Sequence, residues 1–299
     1  MKVLVTGGDG FIGRHLCTTL AERGHTVTAL SRRPDDSVLP DGVETVAGDV
    51  TDREGVDAVV EGQDAIVNLV SLTPLYEPQG RSHEAVHLGG TEVLVEAAEG
   101  AGVQRFVQMS GLGVDPDADT AYLRAKGRAE EVVRASALDW VIVRPSVVFG
   151  DGAEFLTFTK RLKRMFAPVV PLYPLPGGGT RTRFQPMYIG DLAPMLAACV
   201  EDDGRARETY ELGGPDILTL REVTEMVYEA EGKRLVFVPL PMPVARLGLT
   251  VLGVVPGFPM GPDQYRSLKL DNTVENNDIS AFGVEETDLR SFVDYLESG

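Results

Sequence analysis

The stretch KVLVTGGDGFIGRHLCTTLAERGHTVTALSRR, residues 2–33, decides the fold of this chain. It begins with a short apolar run, passes through a glycine-rich turn into a segment with helical spacing of apolar residues, and ends in a second apolar run. The turn carries three glycines in GxxGxxG spacing, Gly7, Gly10 and Gly13. Such a turn lets the backbone approach a pyrophosphate, which the N-terminus of the following helix attracts. The pattern predicts a βαβ unit that binds a dinucleotide.

The residues that end the second strand bear on the choice of cofactor. An NAD-binding chain usually carries Asp or Glu there, about 20 residues after the glycines, to bind the ribose 2′-OH. This chain has Ser31, Arg32 and Arg33 instead, and a guanidinium pairs well with a 2′-phosphate. NADP(H) is therefore the predicted cofactor, with NAD(H) as the alternative. If the nearby Asp35 and Asp36 neutralise the two arginines, these are ordinary loop residues.

Composition and charge limit the range of partners. The chain has 299 residues and a formal net charge of −17, so its surface repels nucleic acid and anionic membranes. Acidic surfaces of this kind resemble those of salt-adapted proteins, and a halophilic origin is a hypothesis. Cys17 and Cys199 are predicted to be free and buried, as in a reducing compartment. Because the first predicted strand starts at residue 2, no signal peptide is predicted, and we expect a cytoplasmic protein.

Strands and helices alternate over the first part of the chain, which predicts an α/β fold with a doubly wound parallel sheet. Residues 1–150 are assigned to a nucleotide-binding domain, and residues 180–200 are expected to pack back on it. Residues 151–299 are assigned mainly to a smaller α+β substrate lobe. Within this lobe, residues 155–166 predict a helix with a basic face, and residues 168–179 are too rich in Pro and Gly for regular structure.

Residues 240–262, LPMPVARLGLTVLGVVPGFPMGP, are unusually apolar. The run is interrupted by Arg246 and is too short for a spanning helix, which needs about 20 apolar residues. Three interpretations are open: a packed helix, a hydrophobic lid over the substrate, and a surface that contacts a membrane or a redox complex.

Tyr122 and Lys126 form a YxxxK motif on a helix predicted at residues 121–135. The spacing puts both side chains on one helix face, one turn apart, where the ammonium favours the ionised phenol. A phenol so tuned gives or takes the proton that accompanies hydride transfer at a carbonyl carbon. Ser110 ends the preceding strand, and its hydroxyl is expected to hold the substrate oxygen. The set predicts an NAD(P)-dependent oxidoreductase that acts on a small molecule.

Two further strand ends are candidate binding positions. Asp49 follows the third strand and is expected to accept from the adenine amino group, unless it is a simple turn residue. Leu69 and Val70 end the fourth strand, at the edge where ligands bind open α/β sheets. His83 and His87 form an i,i+4 pair, but no third ligand accompanies them, and no metal is predicted.

Several longer segments carry a family resemblance: TGGDGFIG at 6–13, GDVTD at 48–52, GGTEVLVEAA at 89–98, VQRFVQMSG at 103–111, YLRAK at 122–126 and VRPSVVFGDG at 143–152. On these motifs the chain resembles an extended or atypical short-chain dehydrogenase/reductase. Two more segments, GGGTRTRFQPMYIGDLA at 177–193 and YELGGPDILTLREV at 210–223, are similar to one branch of that superfamily. That branch contains the nucleotide-binding accessory subunit of respiratory complex I and relatives labelled NAD-dependent epimerase/dehydratase.

The resemblance implies a Rossmann fold with a smaller C-terminal substrate lobe, and a catalytic set of Ser110, Tyr122 and Lys126. It also implies a wider set of cofactor contacts: Gly7, Gly10, Phe11, Ile12, Gly13, Arg32, Asp49, Val50, Leu69, Tyr122, Lys126, Pro145, Ser146, Val147 and Val148. A homodimer is a family expectation only, and a monomer is equally open.

The chain departs from the family pattern at two places. His87 stands where extended members usually carry Asn, so it either hydrogen-bonds to Lys126 through water at the cofactor site or is satisfied by backbone. No carboxylate follows Ser110, unlike in the sugar dehydratases. Three arginines in a largely apolar lobe are the candidates to bind a sugar nucleotide: Arg181, Arg183 and Arg246.

A hydrophobic carbonyl or alcohol is therefore the favoured substrate. Two alternatives of other kinds stay open: a non-catalytic NADP(H)-binding scaffold or regulator of a redox assembly, and a nucleotide-sugar epimerase.

Overall fold

A seven-stranded sheet forms where the short apolar runs of the sequence lie. Its strands are β1 Lys2–Thr6, β2 Thr26–Ser31, β3 Glu44–Ala47, β4 Ala65–Asn68, β5 Arg105–Met109, β6 Asp139–Pro145 and, later in the chain, Glu208–Leu212. Across the sheet the order is 3-2-1-4-5-6, with Glu208–Leu212 beside β6. The neighbouring pairs among β1 to β6 are all parallel. The prediction of a Rossmann-type, doubly wound parallel sheet is confirmed.

Helices flank this sheet, and strands β1 and β4 are accordingly buried without polar alternation. The helices are α1 Phe11–Glu22, α2 Arg53–Val60, α3 Gly90–Ala101, α4 Ala121–Ala135 and Ile189–Glu201. Helix α1 packs against Ile189–Glu201, whereas α2, α3 and α4 pack in a row. A π-helical segment, Glu84–Gly89, leads directly into α3, where the sequence predicts an ordinary helix from residue 81.

The structure is a computed structural model, which describes residues 1–74, 77–78, 80–153, 172–233, 235–244, 266 and 270–298. The predicted helix at 155–166 and most of the apolar run 240–262, with Arg246, lie outside these residues. No helix in the described ranges has the length and apolarity that crossing a bilayer requires.

The chain divides into two units. The first comprises Met1–Arg144 and Ile189–Glu211, and the second comprises Pro145–Tyr188 and Leu212–Gly299. The assignment of a nucleotide-binding role to one region and a substrate role to the other, with a boundary at residue 150, stays a prediction.

In the second unit, short strands pair two by two. They are Val148–Phe149 with Met187–Tyr188, Arg183–Phe184 with Leu218–Thr219, and Leu172–Pro176 with Val236–Leu240. The helix Leu220–Ala230 begins at a capping box between Thr219 and Glu222. Its Val223 and Val227 join Phe149, Leu218 and Phe292 in a buried cluster.

One prediction about this unit is wrong. Residues 168–179 were expected to lack regular structure, but Leu172–Pro176 is a strand that runs parallel to Val236–Leu240. Prolines are tolerated because this sheet has two strands, so each strand has an edge along which no N–H is needed.

Candidate active site

The glycine-rich turn between β1 and α1 has the geometry of an anion cradle. Gly7 has a φ of +74°, which a side chain would strain. A Cβ on Gly13 would lie 2.2 Å from the carbonyl oxygen of Gly7, so the turn and the helix touch backbone to backbone. Gly10 is the N-cap of α1 and offers no capping side chain. Within the described part of the chain no side chain caps the first helical turn, which begins with Phe11 and Ile12, so its N–H groups fit a diphosphate.

Asp9, within this turn, contacts the end of β2. The Ser31 hydroxyl donates a short hydrogen bond to Asp9 Oδ1, and the Asp9 amide lies 3.5 Å from Ser31 Oγ. Sequence reasoning missed this pair, because residue spacing along the chain carries no signal that joins a loop to a strand 22 residues away.

Arg32 and Arg33, which follow Ser31, are exposed, and neither has an ion pair or hydrogen bond among the described residues. Asp35 instead accepts from Ser37, and Asp36 accepts from Thr45 at 2.7 Å. The two aspartates therefore form no ion pair with the arginines. Both guanidiniums are available to an anion beyond the end of β2.

Asp49 is held by two neighbours. Its Oδ1 accepts from the amide and hydroxyl of Thr51 at 3.1 and 2.9 Å, and its Oδ2 pairs with Arg81. Partial burial would raise the pKa of Asp49, but the hydrogen bonds from Arg81 and Thr51 outweigh it and hold the pKa below its usual value. The carboxylate is thus fixed in place, and Arg81 is a neighbour that the sequence did not reveal. Val50 beside it is buried against Gly90.

The ends of β1 and β4 meet beside the glycine turn. The side chain of Asn68 joins three strands and α3: it accepts from Thr6 at 2.8 Å and donates to Gln108 at 3.0 Å and to Thr91 at 3.2 Å. It also accepts from the Val70 amide at 3.3 Å. A Cβ on Gly7 would lie 3.5 Å from the backbone of both Leu69 and Val70, so these predicted contact residues lie against the glycine turn.

The YxxxK motif lies in the first turns of α4, whose N-cap Thr120 accepts from the Leu123 amide at 3.2 Å. Lys126 is only 3% exposed. Its ammonium donates to the Met109 carbonyl at 3.1 Å and lies 5.5 Å from the centre of the Tyr122 ring. Lys126 therefore connects Tyr122 with the end of β5.

Ser110 directly follows Met109 at that strand end and is 5% exposed. Its amide donates to the Val143 carbonyl at 2.7 Å, which fixes the residue against β6. Its hydroxyl finds no hydrogen-bond partner among the described residues. Because buried hydroxyls normally form a hydrogen bond, Ser110 Oγ is suited to bind a substrate oxygen.

Two histidines enclose the other side of the Tyr122 ring. His83 and His87 stack on each other with ring centres 5.5 Å apart, and both meet the tyrosine edge-on at 5.5 and 5.4 Å. Burial, with the charges of Lys126 and His83 adding to it, lowers the pKa of His87 from 6.5 to about 2, so its ring is neutral. Its Nε2 accepts from the Leu72 amide at 3.4 Å. Of the two interpretations of His87, the structure shows the one in which the ring is hydrogen-bonded to the backbone.

In the described ranges, no group of three or more His, Cys, Asp or Glu side chains is arranged to hold a metal ion. Cys17 and Cys199 are free thiols, and burial raises the pKa of each to about 12. Neither is a nucleophile at neutral pH.

The residues from Pro145 to Val148 belong to the second unit. Asn272 holds them: Ser146 Oγ lies 2.7 Å from both of its oxygens, and the Val147 amide donates to its side chain at 2.9 Å. Their contact with a cofactor stays a prediction.

A doubly wound sheet with this glycine turn, and with Tyr122 and Lys126 beside a strand-end serine, defines a nucleotide-binding protein of the short-chain dehydrogenase/reductase type. The sequence profile of a family described as NAD(P)H-binding matches residues 7–164. The chain belongs to this NAD(P)H-binding family.

The chain is similar to proteins of several kinds. The chain is 32% identical to subunit 9 of the NADH dehydrogenase [ubiquinone] 1 alpha subcomplex from Arabidopsis thaliana mitochondria, over 91% of this chain and 71% of that protein. It is 31% identical to a 3 beta-hydroxysteroid dehydrogenase/Delta 5-->4-isomerase from Mycobacterium tuberculosis, over 78% and 70%. Among solved structures, MoeE5 in complex with UDP-glucose and NAD superposes with a TM-score of 0.66 at 25% identity, over 80% and 85%.

Proposed function

We propose that this protein is an NAD(P)(H)-dependent oxidoreductase that transfers hydride to or from a carbonyl or alcohol carbon. The contact of Lys126 carries the proposal: the buried ammonium faces the Tyr122 ring and binds the carbonyl next to Ser110. A purely structural lysine has no reason to be buried at this point, since its desolvation is costly.

The three side chains have separate roles. Ser110 Oγ donates to the substrate oxygen, which supplies the partner that this buried hydroxyl otherwise lacks. Tyr122 gives a proton to that oxygen during reduction and takes it back during oxidation, and the Lys126 ammonium lies beside its ring. A bound nicotinamide supplies or accepts the hydride. The buried rings of His83 and His87 pack on the tyrosine and exclude water from one side of it.

The finer part of the proposal is a preference for NADP(H). Its support is that Arg32 and Arg33 have no competing carboxylate partner, as Asp35 and Asp36 are engaged elsewhere. Arginine is the side chain best suited to a 2′-phosphate.

The proposed substrate is a hydrophobic carbonyl or alcohol, in a cytoplasmic setting. The similarity to a hydroxysteroid dehydrogenase favours an apolar substrate. A sugar nucleotide, as in the MoeE5 complex, needs basic side chains in the second unit. There the guanidinium of Arg183 is occupied by Asp271, with Nε and oxygen 2.9 Å apart.

The second candidate function is a nucleotide-binding subunit of a redox assembly that performs no turnover. The similarity to subunit 9 of the mitochondrial NADH dehydrogenase favours it. In that case the partner is a redox complex, and the Tyr122 site is retained without a substrate.

The test has two steps. NADPH and NADH are titrated against wild type and Arg32→Ala by fluorescence, with Arg23→Ala as a matched control at the far end of α1, where Arg23 pairs with Glu201. Carbonyl compounds are then screened for NADPH oxidation. We expect Tyr122→Phe to lose at least about 100-fold in turnover while it still binds NADPH, and Tyr210→Phe to behave as wild type. Turnover that survives in Tyr122→Phe overturns the mechanism, and NADPH binding without any turnover favours the subunit.

A further inference from the structure

Groups of opposite charge lie at the end of β2, the place where this fold binds the ribose 2′-OH of a dinucleotide. Arg32 and Arg33 extend from the strand end, while the Asp9 carboxylate comes from the glycine turn and contacts Ser31. In this fold a carboxylate at the end of β2 binds the ribose 2′-OH. Here Ser31, Arg32 and Arg33 stand where that acid is usually found, but the fold brings the Asp9 carboxylate to Ser31, the last residue of β2.

We infer that Asp9 is the second determinant of cofactor choice and works against the two arginines. This inference rests on the proposed function, because it concerns the same cofactor site. The Asp9 carboxylate accepts a hydrogen bond from a ribose 2′-OH, as the usual acid does, and so supports NAD(H). A 2′-phosphate at the same position meets a like charge, and so Asp9 weakens NADP(H).

The hydroxyl of Ser31 sets how strongly Asp9 acts. Its hydrogen bond occupies Oδ1 and spreads part of the negative charge, while Oδ2 has no hydrogen bond among the described residues. Asp9 therefore has one oxygen to hold its place and one for the cofactor. A residue that only fastened the loop would affect both cofactors alike, and this difference makes the inference testable.

The test is a set of dissociation constants for NADPH and NADH, measured by fluorescence for wild type, Asp9→Asn and Ser31→Ala. Asp9→Asn keeps an acceptor for Ser31 but loses the charge. We expect it to bind NADPH about fivefold to tenfold more tightly and NADH several-fold more weakly. Ser31→Ala frees Oδ1, and we expect the opposite shift in the ratio of the two constants. Asp57→Asn, which removes an exposed charge from α2, is the matched control and leaves the ratio unchanged.

The outcomes separate this inference from the proposed function. If Arg32→Ala weakens NADPH but Asp9→Asn changes both cofactors equally, Asp9 only fastens the loop, and the inference is wrong while the oxidoreductase stands. If wild type binds neither cofactor, both are wrong. Thermal melting of each variant, followed without cofactor, separates a loss of folded protein from a loss of affinity.

Discussion

Gly13 is the residue at which the backbone geometry of the cofactor turn is most demanding. A methyl group there would lie 2.2 Å from the Gly7 carbonyl oxygen and 2.7 Å from Gly8, which are backbone atoms that cannot rotate away. We expect Gly13→Ala to lower the free energy of unfolding by about 1–3 kcal/mol and to abolish nucleotide binding. Urea unfolding and a cofactor titration measure the two effects.

Gly100, on α3, is the matched control for that substitution. A Cβ there meets nothing within 4 Å, and we expect Gly100→Ala to stabilise the helix by about 0.5–1 kcal/mol. If Gly13→Ala kept wild-type stability and nucleotide binding, the turn would have opened to admit the methyl group without a cost in free energy.

His87 makes the stability of the fold depend on pH. Its pKa is about 2 in the folded protein, because burial and the charges of Lys126 and His83 disfavour the imidazolium, and about 6.5 in the unfolded chain. Below pH 6.5 the unfolded state therefore binds a proton at His87 that the folded state does not bind. Stability is lost as the pH falls below 6.5, by up to about 1.4 kcal/mol per pH unit from this group.

The measurement compares wild type with His87→Gln, which keeps an acceptor for the Leu72 amide. Between pH 6.5 and 5, the plot of unfolding free energy against pH is expected to be less steep for the variant by roughly that amount. Parallel plots would mean that the ring is protonated in the folded protein.

At the scale of elements, α4 is tied to β6 by a buried ion cluster. Glu130, only 1% exposed, accepts from Arg144 at 2.6 and 2.9 Å and from Arg134 at 2.8 Å. The hydrogen bonds that Arg144 donates to Glu130 raise the pKa of Arg144 above its usual value. The cluster fixes the helix that carries Tyr122 to the edge of the sheet.

We expect Glu130→Ala to cost about 3 kcal/mol of unfolding free energy, because it leaves the partly buried Arg144 without its main partner. Glu96→Ala breaks an exposed pair with Arg53 and is expected to cost far less, because solvent screens this pair. Equal costs for the two variants, measured in urea, would show that Glu130 contributes no more than a surface charge.

The elements also show how far the sequence can be interpreted without a structure. Helix α4 lies at 121–135 as predicted, because a Thr cap and a clear apolar spacing are local signals. The π-helical turn Glu84–Gly89 has no such signal in the sequence, and it lies where His83 and His87 pack against Tyr122. Likewise, the Pro-rich strand Leu172–Pro176 depends on its partner Val236–Leu240, more than 60 residues away.

For the candidate site, the glycine turn and the Ser–Tyr–Lys set are recognisable because their residues recur at fixed spacing. The neighbouring residues that adjust them are not recognisable in the sequence, because only the fold brings Asp9 to Ser31 and Arg81 to Asp49. The ion pairs and hydrogen bonds at a strand end can therefore be recognised only in the structure, even where the strand itself is predictable from the sequence.

For the whole molecule, the net charge of −17 is the dominant electrostatic property. So many like charges repel one another in the folded state. Added salt shortens the distance over which this repulsion acts, to about 3 Å at 1 M. We propose that the protein is adapted to high salt. Its melting temperature is then expected to rise by about 5–10 °C between 0.05 and 2 M KCl at pH 7, which corresponds to roughly 3–6 kcal/mol for a chain of this length.

The control for this salt effect is the pH itself. Near pH 4.7, the isoelectric point of the sequence, the net charge vanishes, so KCl has little repulsion left to screen. Scanning calorimetry at both pH values separates screening from a general effect of salt on apolar burial, which persists at either pH. The halophilic hypothesis would be contradicted by a melting temperature that is independent of KCl at pH 7, or by one that rises equally at both pH values. The acidic surface would then serve solubility alone.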